Sequence, residues 1–312
     1  MQQKFKIACI GCSWTEGTVV MEPKIEKKIN AKQGICQSHK TTYPYILKQF
    51  LSKKNCEATV YNAGRAGSSV HFYPFMTDYV LEQFDPDVFV IQITTPDRNF
   101  MKLDLLLEEQ NQMQFGHDEE EKGYYKIWDN NVNLIHLSPG MGWCAPLTAS
   151  RDRHSMTDTS KLFWKTIAQD KKELKETFND IVERMWKDRI KGKVAPDISL
   201  SEFSDYVSIW WEQEANNQNY SRYQYLNTLY FLIDQLEAKG KKVIPFFWFH
   251  PQVYNNFKNQ LVPLRQYPSI QNFFGDKLFN SFAIDRGHHF GVKGNTRLVQ
   301  EFLGPQVLET MK

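Results

Sequence analysis

Phe5-Lys6-Ile7-Ala8-Cys9-Ile10-Gly11-Cys12-Ser13-Trp14-Thr15-Glu16-Gly17 is an apolar run that breaks into a glycine-bounded turn carrying a serine. The run predicts a strand over Phe5 to Ile10, with Ser13 on the turn that follows it. In open α/β sheets ligands gather at the carboxyl ends of strands, and flanking glycines let backbone come close to a substrate. Ser13 is therefore the candidate nucleophile.

The rest of the amino-terminal part continues that pattern. Helices are predicted around Tyr43 to Leu51 and Phe72 to Phe84, and strands at Ala58 to Tyr61 and Val88 to Ile93. Strand-helix alternation predicts a parallel sheet, and Asp85-Pro86-Asp87 marks the step from the second helix into the third strand. From about Phe100 to Asn219 the rhythm disappears. An acidic patch (Glu119-Glu120-Glu121), a turn at Asp129-Asn130 and a charged helical stretch from Lys161 to Ile190 take its place. The pattern returns with a helix around Tyr223 to Leu236, a stop at Gly240, a strand Val243 to Phe249 and a closing helix from about Lys293 through Leu303. This organisation divides the chain into an α/β domain, residues 1–100 and 220–312, and a largely helical insertion or cap at 101–219.

Composition limits the function classes. The chain has 312 residues, 41% apolar and 14% aromatic, enough for a sizeable core. Thirty-eight basic and 36 acidic side chains leave a net charge of +2, too little to direct binding to nucleic acid or an anionic membrane. Five cysteines, Cys9, Cys12, Cys36, Cys56 and Cys144, make an odd set; Cys9 and Cys12 stand at CxxC spacing but flank the turn without the further partners a zinc site needs, so neither a metal site nor a disulfide framework is expected. With no signal peptide or apolar span evident, the expectation is a cytoplasmic protein that does not insert into membranes.

Three further segments fall at predicted strand ends. Asn62-Ala63-Gly64-Arg65-Ala66-Gly67-Ser68 follows the strand ending at Tyr61 and offers backbone N–H groups to an anion, Gly64 foremost and Asn62 beside it. Thr94-Thr95-Pro96-Asp97-Arg98 offers Thr95 and Arg98 as substrate-binding groups; Arg98 as a surface ion pair is the plainer reading. Asp285-Arg286-Gly287-His288-His289-Phe290-Gly291 places an acid shortly before two imidazoles. A serine hydroxyl needs an adjacent base, and the base needs an orienting carboxylate. Ser13, a histidine and Asp285 supply those three types, and the amides of Ser13 and Gly64 could receive the oxyanion. Trp248-Phe249 is read first as buried packing and second as pocket lining.

These segments resemble the conserved blocks of the SGNH (GDSL-type) hydrolases. Gly11-Cys12-Ser13-Trp14-Thr15-Glu16-Gly17 is similar to Gly-Asp-Ser-x-Thr-x-Gly, Asn62 to Gly67 to Asn-x-Gly-x-x-Gly, and Asp285 to Gly294 to the terminal Asp-x-x-His block. The resemblance implies a three-layer α/β/α fold of flavodoxin-like type with a parallel sheet of about five strands. It also implies a serine esterase mechanism without a cofactor. Cys12 stands where that family has aspartate, and Pro96, which has no N–H, stands where it has an oxyanion-binding asparagine. Two histidines remain open as the base. His288 has the spacing from Asp285, while His289 has the interval to Gly294 and is preferred.

The function expected is hydrolysis of a small acyl ester, with O-acetyl groups of a carbohydrate as the favoured substrate. A weak or inactive glycan-binding member of the same fold, or a sugar O-acyltransferase, are the alternatives. Small-molecule or glycan esters are the expected partners, and nucleic acid is not.

Overall fold

The apolar runs of the amino-terminal part become the inner strands of a mostly parallel sheet. In chain order the strands are β1 (Phe5–Gly11), β2 (Ala58–Gly64), β3 (Val88–Ile93), β4 (Asn99–Lys102) and β5 (Phe115–Glu121). They continue with β6 (Tyr124–Asp129), β7 (Leu134–Ser138), β8 (Trp143–Pro146) and β9 (Lys242–Phe247). The computed structural model describes residues 4–17, 39–65, 68–94, 99–102, 113–129, 134–138, 143–146, 182–183, 186–187, 191, 197–216, 218–249, 265–283 and 289–311. The chain divides into two units. Met1–Pro96, Gly116–Trp128 and Tyr225–Lys312 form the first; Asp97–Phe115 and Asp129–Gln224 form the second.

In the first unit the sheet order is β5-β6-β2-β1-β3-β9, a six-stranded sheet. The pairs β6/β2, β2/β1, β1/β3 and β3/β9 are parallel. Every residue of β3 is buried, as befits a strand covered on both faces. Ile7, Cys9, Val90 and Phe246 point to one face, where helix α2 (Tyr43–Lys53) and the carboxyl-terminal helical segment cover them. Ala8, Ile10, Phe89 and Ile91 alternate to the other face. There α3 (Tyr73–Phe84) lies against β1 and β2, burying Tyr73, Met76, Thr77 and Val80 at helical spacing. From β1 the chain runs to β2 on one side and then to β3 on the other, so β1 borders the crevice where the winding reverses. Ser13 follows β1 directly.

Several expectations are corrected. β2 runs on through Asn62-Ala63-Gly64, expected as loop, because those residues pair with Cys9, Ile10 and Gly11 of β1. The segment from 115 to 129, expected inside a helical insertion, is a hairpin that adds β6 and β5 beyond β2. Its turn is Lys122-Gly123, with Gly123 at φ 72°, rather than Asp129-Asn130; Asp129 ends β6 and Asn130 lies outside the described residues. The strand expected to reach Phe249 stops at Phe247. After two short helices, α6 (Ile270–Phe274) and α7 (Asp276–Phe282), the closing helix starts at α8 (Val292–Arg297), widens into a π-helical turn at Leu298–Leu303 and continues as α9 (Gly304–Thr310). Gly304 allows this continuation, since a Cβ there would lie 2.4 Å from Phe50 Cε1 and 2.6 Å from the Val299 carbonyl oxygen.

The second unit is not simply helical. β4, β7 and β8 form a three-stranded antiparallel sheet in the order β4-β7-β8. Helix α4 (Leu200–Asn216) begins with a capping box: Ser199 Oγ accepts from the Glu202 amide at 3.2 Å, and Glu202 Oε2 accepts from the Ser199 amide at 2.7 Å. Of the stretch Lys161 to Ile190, only Val182, Glu183, Trp186 and Lys187 are described. Helix α5 (Gln218–Ala238) returns the chain to the first unit from Tyr225 onward.

Candidate functional site

Gly11 ends β1, and the chain folds back so tightly that a Cβ on Gly11 would lie 2.0 Å from Thr15 Oγ1. The four-residue helix α1 (Ser13–Glu16) results, closed by Gly17 at φ 86°, whose amide donates to the Ser13 carbonyl. Beneath it stands Gln92, the fifth residue of β3, with no solvent exposure. Its Oε1 accepts from the Cys12 amide at 3.0 Å, from Cys12 Sγ at 3.2 Å and from Thr15 Oγ1 at 3.3 Å. The Thr15 hydroxyl also bonds Tyr43 Oη at 3.0 Å.

The partner of the Ser13 hydroxyl comes from the far end of the chain. His289 Nε2 is 2.7 Å from Ser13 Oγ, joining residues 276 apart, and both side chains are buried. Phe290 makes an isolated antiparallel bridge with Ala283, and the Asn295 carboxamide donates to the Phe290 carbonyl at 3.1 Å and to that of Thr41 at 2.8 Å. Gly294 packs against Phe282 and Phe290 so closely that a Cβ would meet them at 2.7 and 2.9 Å. These contacts fix the segment entering α8, and His289 with it.

Aromatic rings wall the pair. Trp14 stacks on Trp248 with centroids 5.1 Å apart and planes 4° apart, Phe249 meets its edge at 5.1 Å, and His289 tilts against it at 6.2 Å. Trp248 is fully buried, so it belongs to the core, whereas Phe249 keeps partial exposure.

Asn62 and Gly64 have different duties from those expected. The Gly64 amide, expected to face an oxyanion, donates to Asn62 Oδ1 at 3.0 Å. Asn62 Nδ2 donates to Tyr124 Oη at 2.9 Å, so both ends of that carboxamide are engaged. Tyr124 Oη in turn meets Thr42 Oγ1 at 3.2 Å, and burial pushes the Tyr124 phenol well above its ordinary pKa. This buried chain ties β2 to β6 and to the start of α2. What Gly64 contributes is space: a Cβ would lie 2.2 Å from the Glu16 nitrogen and 2.6 Å from the Thr15 carbonyl carbon. The glycine lets α1 rest directly on β2.

Among the described residues the Ser13 amide has no hydrogen-bond acceptor. Asp285, His288, Thr95 and Arg98 lie outside the described residues. No cluster of three or more metal-ligating side chains occurs among the described residues, and no helix there is long and apolar enough to cross a membrane. Sequence reasoning missed Gln92, Tyr43 and Tyr124. Gln92 had a signal, a lone polar residue inside the apolar run Val88 to Ile93.

No protein-family model and no curated protein matches this chain. Among solved structures it has a partial likeness to the crystal structure of LAE5, an alpha/beta hydrolase enzyme from the metagenome of Lake Arreo, Spain. The two are 20% identical over 30% of this chain and 40% of that one, with a TM-score of 0.22. The chain spans less than half of that protein, and an overlap of this size carries no argument about activity.

Proposed function

We propose that this protein is a serine hydrolase that cleaves a small acyl ester. The observation that carries the reading is the 2.7 Å hydrogen bond between Ser13 Oγ and His289 Nε2, at the carboxyl end of β1 beside the sheet's reversal point. In this reading Ser13 Oγ attacks the ester carbonyl while His289 Nε2 takes its proton. The Ser13 amide donates to the developing oxyanion, and Gly64 supports it by letting α1 sit where that amide is aimed. His289 then protonates the departing alcohol. A water, deprotonated by the same imidazole, releases the acid and restores the serine. Asp285 is proposed as the carboxylate that orients His289, and Thr95 and Arg98 as substrate contacts.

Within this class the proposed substrate is an O-acetylated carbohydrate. The resemblance to SGNH hydrolases supports that choice, and release of acetate from acetylated sugars compared with longer acyl chains tests it.

The mechanism is tested with a fluorophosphonate probe and mass spectrometry. The expected result is a single adduct on Ser13 in folded protein, lost in Ser13→Ala and in His289→Gln. Folded wild-type protein without an adduct on Ser13 would overturn the reading.

A further inference from the structure

We infer that Gln92 is a positioning residue for Ser13, setting the aim of the nucleophile's backbone through the Cys12 amide; the inference rests on Ser13 being the nucleophile. Gln92 is a carboxamide with no solvent exposure in a strand that is otherwise apolar from Val88 to Ile93. A buried polar group in such a strand is retained only where its bonds are made. Its orientation is fixed, because the Cys12 amide can only donate, so the atom 3.0 Å away must be the oxygen. That oxygen collects Cys12 N–H and Cys12 Sγ from one side of Ser13 and Trp14 and Thr15 Oγ1 from the other. Both ends of the turn that carries the nucleophile are thereby tied to a single atom of β3.

The far side of the same strand end is also held. Tyr73 Oη donates to the Gln92 carbonyl at 2.8 Å, and Tyr225 Oη donates to the Thr94 carbonyl. Gln92 is therefore an anchored post, and the turn hangs from it. Along its backbone the four-residue α1 is closed by bonds from the Thr15 and Glu16 amides to the Cys12 carbonyl and from Gly17 to that of Ser13. So short a helix does not hold its own orientation. The peptide that leads into it is held by Gln92 Oε1, and the helix rests on β2.

Gln92 Nε2, by contrast, is buried without a hydrogen-bond partner among the described residues. Retaining a carboxamide at the cost of one unmet donor points to the oxygen as the functional end. Gln92→Glu keeps that acceptor, and Gln92→Met keeps the length without it.

The test is the rate and the end point of fluorophosphonate labelling at Ser13, with hydrogen exchange on the peptide containing Cys12. Labelling carried to completion counts folded sites, so a structural loss lowers the end point while a positioning loss lowers the rate. Wild type is expected to label fully with a protected Cys12 amide. Gln92→Met is expected to label fully but about 10- to 100-fold more slowly, the scale of a misplacement near 1 Å, with faster exchange at Cys12. Gln92→Glu is expected to stay within about tenfold of wild type and to keep the protection, since it preserves the acceptor. Wild-type rates in folded Gln92→Met would overturn the inference and leave the nucleophile standing. If Gln92→Met does not fold, a Gln92→Glu that loses labelling while the Cys12 amide stays protected overturns it equally. An unlabelled wild type removes the nucleophile and this inference together.

Discussion

Gly64→Ala separates two roles that a glycine beside the proposed nucleophile can have. If Gly64 served only as an amide donor, alanine would be harmless, since the N–H is retained. The structure assigns the opposite outcome. The added Cβ would fall 2.2 Å from the Glu16 nitrogen, 2.6 Å from the Thr15 carbonyl carbon and 2.7 Å from Thr15 Cβ. Two of these are backbone atoms of α1, so no side-chain rotation clears the contact. Ordinary carbon contacts lie near 3.5–4 Å, so α1 must lift from β2 by roughly 1 Å or more. Overpacking of this kind costs about 1–3 kcal/mol, and a shift near 1 Å in a reacting group costs about a hundredfold in rate. Urea unfolding measures the first and Ser13 labelling the second. Gly240→Ala is the control: Gly240 has φ 76° and nothing within 4 Å of a Cβ, so only the backbone penalty of about 1–2 kcal/mol applies, with labelling unchanged. A Gly64→Ala protein with the wild-type urea midpoint and labelling rate would refute the steric argument.

Three other outcomes follow from the same contacts. Burial lowers His71 from its ordinary 6.5 to about 4, so the folded chain refuses a proton that the unfolded chain accepts. This contribution is intact above pH 6.5 and is lost as pH falls toward 4; the loss reaches about 3 kcal/mol, and His71→Phe should flatten urea stability across that window. Tyr43→Phe removes the phenol that bonds Thr15 Oγ1, and a loss of about 1 kcal/mol is expected by urea titration, with wild-type stability contradicting it. Trp248→Ala empties a fully buried site under Trp14, so about 3–5 kcal/mol of stability should go, and a loss below 1 kcal/mol would show that the stack is not part of the core.

The parts of the fold legible in the sequence were those whose own pattern carries the information. β3 is readable to the residue at Val88–Ile93, because a strand covered on both faces is an apolar run, broken here by Gln92 alone, and the proline before it ends the helix. β2 was read three residues short: Asn62-Ala63-Gly64 has the composition of a loop, and only pairing with Cys9-Ile10-Gly11 makes it strand. The hairpin β5/β6 is hidden because β5 is an edge strand whose charges, Glu119-Glu120-Glu121, read as an acidic patch. At the candidate site, Ser13 and His289 carried recognisable neighbours, a glycine turn and the Gly294 helix entry. Tyr124 has no such marker, and the one signal for Gln92, its polarity in an apolar run, does not reveal the partner, since each acts through a residue about 60 to 80 positions away.

The separation of 276 residues between Ser13 and His289 has a consequence for the nascent chain. Synthesis at about 5–20 residues per second puts roughly 15–55 s between the emergence of the serine and that of the imidazole. Through that interval β1, β2 and β3 can pair, yet the Ser13 hydroxyl lacks the imidazole that it bonds in the folded protein. In the proposed reading the nucleophile is thus made early and its base late, and the pair is assembled only once α8 and the π-helical turn close over the sheet.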